Sequence, residues 1–192
     1  DGWYFDSSFT WNTTGCSATP TDHSGAGGSY ASIDFSSTDT EVVLEMPVID
    51  VSGLTVPALK FYTFLCTTGY SPVNELYVEA FDGTNWNQIG LINTGSAAWE
   101  EQIIGLGSAV VGNLVTLRFR AESGGSTLDY YGDLALDDVS VEEAPACLYP
   151  STLDASNITN NTADLSWVAG GTETAWNVEI VTTGTTPTGT PT

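Results

Sequence analysis

The chain has 192 residues, with 3 Lys+Arg against 24 Asp+Glu and a net charge of −21. That charge repels nucleic acid and anionic lipid, while 41% hydrophobic and 11% aromatic residues argue against disorder. No apolar stretch reaches membrane-spanning length, and a single histidine with no Cys-x-x-Cys pair excludes the usual zinc clusters.

Lys60, Arg118 and Arg120 are the only Lys or Arg side chains, so metal cations are the expected counter-charge for the carboxylates. Three cysteines, Cys16, Cys66 and Cys147, allow at most one internal disulfide, as expected of an oxidising compartment. With no leader at Asp1, the chain reads as a mature or excised piece of a secreted protein.

In chain order, the first chemistry-bearing run is Asp22-His23-Ser24. Consecutive residues on an extended segment diverge, so these three cannot line up as orienter, base and nucleophile, and His23 is expected to be packed and hydrogen-bonded. Strand patterns follow at 41–51, 58–66 and 75–81, each rich in β-branched or aromatic residues. Asp82-Gly83, between residues 75–81 and Trp86, predicts a hairpin turn. Further strands are predicted at 114–123, 134–142, 162–167 and 176–181. Helix patterns are nearly absent, and the fold class is therefore all-β and antiparallel, a sandwich or jelly roll.

Tyr130-Tyr131, beside Gly132, is expected to line a loop at one edge, where an aromatic pair is a candidate for ligand stacking. Asp137 and Asp138 then interrupt the alternation of Leu134, Leu136, Val139 and Val141. On a regular strand one of them faces the interior side of the sheet. A buried carboxylate needs backbone N–H donors, a cationic side chain or a metal ion.

A boundary is expected at residues 145–149, where prolines and a shift toward Thr, Asn and Gly separate domain 1–144 from 150–192. Beyond it, Leu165 and Trp167 alternate on one face, as do Trp176, Val178 and Ile180. The tail is rich in Thr, Pro and Gly and reads as an extended loop. No metalloprotease, nucleophile-elbow or phosphate-loop motif occurs, so a catalytic role is not expected.

Phe9-x-Trp11, Asp22-His23-Ser24, Gly28-x-Tyr30, Trp86-x-x-x-Gly90 and Ala135-Leu136-Asp137-Asp138-Val139, in that order, resemble the MAM domain family. The resemblance implies a jelly-roll sandwich of an extracellular adhesion protein with a structural calcium or sodium ion. Its ligands would be Asp137 or Asp138, with Asp22 and the backbone up to Ser29. It also implies that Trp86 and Trp99 are core aromatics. Within it the preferred disulfide is Cys16 with Cys66. Residues 148–192 resemble the first half of a fibronectin type III domain of large secreted Bacteroidetes proteins, about three strands of a sandwich that needs about seven.

The leading expectation is a non-catalytic adhesion or interaction module, secreted or on a bacterial cell surface. Its partner would be a surface protein, a glycan or copies of itself. The alternatives are an ancillary carbohydrate-binding module of a secreted hydrolase or protease, and a self-associating unit of a surface filament completed by strand addition.

Overall fold

In a computed structural model the described residues are 2–7, 20–25, 27–36, 40–146, 148, 150–170, 173–182 and 184–190, with backbone alone for 151 and 152. The chain forms two compact units, Asp1–Ala144 and Pro145–Thr192.

The first unit is a sandwich of two antiparallel sheets. In chain order its strands are β1 Tyr4–Asp6, β2 Tyr30–Ile33, β3 Glu41–Glu45, β4 Ile49–Asp50, β5 Pro57–Cys66, β6 Glu75–Phe81 and β7 Trp86–Ile92. They continue with β8 Ser96–Gly105, β9 Leu114–Val115, β10 Leu117–Glu122 and, after a 3₁₀ turn at Asp129–Gly132, β11 Leu134–Glu143. One sheet has the order β1-β2-β11-β5-β8 and the other β3-β10-β6-β7, with β4 and β9 paired separately.

Strand alternation builds the core. Leu59, Phe61 and Leu65 of β5 and Leu134 and Leu136 of β11 meet Leu76 and Val78 of β6 and Leu117 and Phe119 of β10 in one buried cluster. Phe61 and Phe119 face each other edge-on with ring centroids 5.0 Å apart. Each such side chain contributes about 1.5–3 kcal/mol by leaving water.

The predicted hairpin is present: Phe81 pairs with Trp86, and Asp82 Oδ1 accepts the N–H groups of Thr84 and Asn85 at 2.8 and 2.7 Å. The stretches 41–51 and 114–123 are each two strands rather than one. In the first the break falls at Met46-Pro47-Val48, where proline has no N–H for a ladder. β2 and β8 escaped the sequence pattern because Tyr30–Ile33 is buried on both faces and Ser96–Gly105 is largely half-buried.

All three basic side chains are paired. Arg118 Nε and Arg120 Nε hold Glu79 at 2.6 and 3.1 Å, and Lys60 Nζ lies 3.0 Å from Glu101. Trp86 is not a core side chain: it is half-buried beneath the guanidinium of Arg118, 4.3 Å from its ring centroid. Trp99 packs with Tyr30, Phe64 and Ala135 in a second, smaller cluster separate from the main core.

The second unit has one antiparallel pair, β12 Ser151–Ser156 and β13 Asp164–Val168. Residues 176–181, expected as a strand, pair with none among the described residues. Trp167 and Trp176 nevertheless meet edge to face, centroids 5.5 Å apart.

Candidate ligand-binding edge and the Asp137–Asp138 latch

Asp137 sits opposite Tyr62 in β5, one position past the core residue Leu136. It therefore points away from the core, onto the outer face of the five-stranded sheet. The register shifts between Asp137 and Ser140, and Asp138 adopts φ +48°, a left-handed conformation costly for a residue with a side chain. The strict alternation expected for the two aspartates fails at this bulge, and neither carboxylate enters the core.

The segment from Pro20 to Gly25 lies over them. Asp137 Oδ2 accepts the His23 N–H at 2.9 Å, and Oδ1 accepts the N–H of Asp138 at 2.8 Å. The His23 ring lies 2.8 Å from Asp138 Oδ2 through Nδ1 and stacks on Tyr62 at 3.7 Å between centroids. Trp99 Nε1 donates to Thr21 O at 2.9 Å and the Tyr30 hydroxyl to Pro20 O at 3.0 Å. Asp137 is thus a buried acceptor for two backbone donors.

Asp22 turns into its own loop, accepting the Ser24 hydroxyl at 2.6 Å. A side chain at Gly28 would come within 2.7 Å of Asp22 Oδ1, so it would have to displace the Asp22 carboxylate. Ser29 is exposed. N–H and O–H donors aimed at these carboxylate oxygens are the opposite of what a calcium ion requires, six to eight converging oxygens. Among the described residues no group of three or more His, Cys, Asp or Glu is disposed to hold a metal ion. The residues, as arranged, do not fit the expected ion. The expected Cys16–Cys66 bond lies outside the described residues, because Cys16 is not among them.

Asp137→Ala leaves two N–H groups without their acceptor, at about 1–3 kcal/mol each where water does not reach. The expected result is a melting temperature about 5 °C lower, to the same extent with added calcium as with a chelator. A fall seen only with calcium in calorimetry would put an ion at Asp137 instead.

The second constellation is the turn Asp129–Gly132. Tyr130 and Tyr131 are half-buried, with rings perpendicular at 4.8 Å, and Tyr131 also meets Tyr70 edge-on at 6.4 Å. Burial first, then a hydrogen bond with Tyr131, raises the Tyr130 phenol above its ordinary range, so it stays a neutral donor and acceptor.

Buried Asn74 fixes this turn. Its Nδ2 donates to Asp129 O at 2.7 Å and Gly132 O at 3.1 Å, and its Oδ1 accepts the Gly124 N–H at 3.1 Å. The Tyr70 hydroxyl accepts the Asn74 N–H at 3.1 Å and donates to Cys66 O at 3.1 Å. A side chain at Gly132 would overlap the Tyr70 hydroxyl, and Ser123 Oγ donates to Asp129 Oδ2 at 2.9 Å.

Below the turn, Asp133 is 3% exposed. Its Oδ1 accepts the Phe35 N–H at 2.9 Å, while its Oδ2 is buried with no hydrogen-bond partner. Burial, followed by the nearby Asp34 and Asp129 charges, pushes its carboxyl up to about 8 despite the Phe35 donor. Of this edge, sequence reading identified Tyr130 and Tyr131; Asn74, Tyr70 and Asp133 carry no local pattern.

No family model and no curated protein matches the chain. Among solved structures, a carbohydrate-binding module in complex with β-1,4-galactotriose is similar, with 14% identity over 74% of this chain and 88% of that chain and a TM-score of 0.43.

Proposed function

We propose that the chain is a non-catalytic, secreted or cell-surface module whose first unit binds a neutral glycan at the Tyr130–Tyr131 edge. The observation that carries this reading is the rigidly held, half-buried tyrosine pair with Asp129 beside it. Aromatic faces match the C–H faces of a pyranose, while phenols and a carboxylate match its hydroxyls. The net charge of −21 disfavours acidic glycans.

One further observation favours binding over chemistry: the buried Glu79 is neutralised by Arg118 and Arg120. Kinship with the MAM domains belongs to the same proposal. It is supported by the contact between Asp22-His23-Ser24 and Asp137-Asp138, motif pieces that lie far apart in sequence.

Calorimetric titration with neutral galacto-, gluco- and xylo-oligosaccharides tests the proposal. At least one series is expected to bind, and Tyr131→Ala is expected to weaken that binding about tenfold or more with little change in melting temperature. Absence of binding to every neutral series, or binding indifferent to Tyr131→Ala, would defeat it and leave a protein partner at this edge as the better reading.

A further inference from the structure

The tyrosine pair of the first unit cannot form a flat platform. Tyr130 and Tyr131 stand with ring planes 87° apart and centroids 4.8 Å apart, so the edge of one ring covers part of the other's face. The surroundings hold them in this arrangement. Tyr131 is braced by Tyr70, whose ring plane lies 82° from its own, and runs beside the backbone of Gly69, where an added Cβ would sit 3.7 Å from Tyr131 Cδ2. The carbonyls of Asp129 and Gly132, at either end of the turn, are tied to Asn74, and the Tyr130 phenol is hydrogen-bonded with that of Tyr131. Asp129 opens the same turn. Its Oδ2 accepts the Ser123 hydroxyl at 2.9 Å, while its Oδ1 accepts no hydrogen bond among the described residues.

We propose, resting on the glycan reading of this edge, that it grips a single dissolved chain over about one or two pyranose units, with Asp129 accepting a sugar hydroxyl, and leaves crystalline polysaccharide unbound. Cellulose and chitin crystals present parallel chains in one plane, and holding such a plane takes several aromatic rings that share a plane of their own. A perpendicular pair offers one ring face at a time, enough for one pyranose, with the second ring as a wall beside it. Both rings are half-buried, which narrows the contact further. Hydroxyls at a crystal face also bond to neighbouring chains, whereas a dissolved chain leaves its hydroxyls free to donate to Asp129 Oδ1. Because the turn is fixed before the ligand arrives, the rings have no route to a common plane that would not cost the hydrogen bonds of Asn74.

The full chain would be mixed with microcrystalline cellulose and with crystalline chitin, and its depletion from the supernatant measured. In parallel, calorimetry would give Kd for soluble galactan, xylan and mixed-linkage glucan and for their oligosaccharides from the disaccharide to the hexasaccharide. Neither crystal is expected to deplete the protein. For the series that binds, Kd is expected to improve by less than about twofold beyond the trisaccharide. Asp129→Asn, which keeps an oxygen for the Ser123 hydroxyl, is expected to weaken trisaccharide binding about tenfold. Depletion by a crystal that Tyr131→Ala abolishes would overturn the proposal while keeping the edge a glycan site. So would a Kd that keeps improving about tenfold up to the hexasaccharide, which would mean an extended groove, and so would trisaccharide binding indifferent to Asp129→Asn. Absence of binding to every soluble series and both crystals would defeat this proposal and the glycan reading together.

Discussion

Asn74→Ala is expected to lower the melting temperature of the first unit by on the order of 10 °C and to abolish glycan binding. The amide is 0% exposed and serves three backbone groups, the carbonyls of Asp129 and Gly132 and the N–H of Gly124. Truncation leaves all three unpaired, and a buried unpaired polar group costs about 1–3 kcal/mol. Some of that is recovered if water enters the space the amide leaves, so the loss should total about 3–5 kcal/mol rather than the full sum. Asn74→Asp should be no better. It keeps an acceptor for Gly124 but turns carboxylate oxygens against two carbonyls. Binding fails for a separate reason: with its two carbonyl anchors gone, the turn no longer fixes the angle between Tyr130 and Tyr131, and ordering it must then come from the ligand. Calorimetry of the variant, with and without the oligosaccharide that the parent binds, measures both effects. A melting temperature within about 2 °C of the parent would mean that Asn74 is not the anchor of this turn.

What was legible in the sequence follows from what is local. Asp82-Gly83 announced its hairpin because a tight turn needs a positive φ, and Gly83 has φ +97°. The strands at 58–66 and 75–81 announced themselves through their β-branched and aromatic residues. Tyr130-Tyr131 was legible as part of a connection between strands because Gly132 followed it. Position 138 defeated strand alternation, which assumes unbroken register: Asp137 faces outward by alternation, and the bulge after it turns Asp138 away from the core as well. Their partner was equally hidden, because His23 is 114 residues away from Asp137 and nothing in a sequence states that distance in space. Asp133 and Asn74 are single polar residues whose meaning comes entirely from burial, which composition does not reveal. For the same reason Trp86 and Trp99 read as core residues although they pack on outward faces.

Asp133→Asn is expected to stabilise the first unit increasingly as pH rises from about 4 to about 8, the interval between the ordinary carboxylate range and the value of about 8 to which the folded protein pushes this group. In the unfolded chain the carboxyl loses its proton near pH 4. In the folded protein it keeps it to about 8, because burial and the charges of Asp34 and Asp129 oppose ionisation. The folded state therefore holds more protons than the unfolded state throughout that window, and stability falls as pH rises through it. Asparagine removes the titration. Its amide oxygen can still accept the Phe35 N–H, and its NH₂ replaces the Oδ2 that has no partner. That NH₂ also favours the neighbouring carboxylates where a second carboxylate opposes them. Variant and parent should thus melt together near pH 4 and separate by several degrees near pH 8, where a few kcal/mol of the parent's stability is lost. Taking the difference between the two proteins cancels the titration of the other acidic residues. A constant gap across the range would mean that Asp133 is already ionised in the folded state, with a donor brought to Oδ2. A gap that grows toward acid would reverse the sign and give Asp133 the role of a paired, stabilising carboxylate.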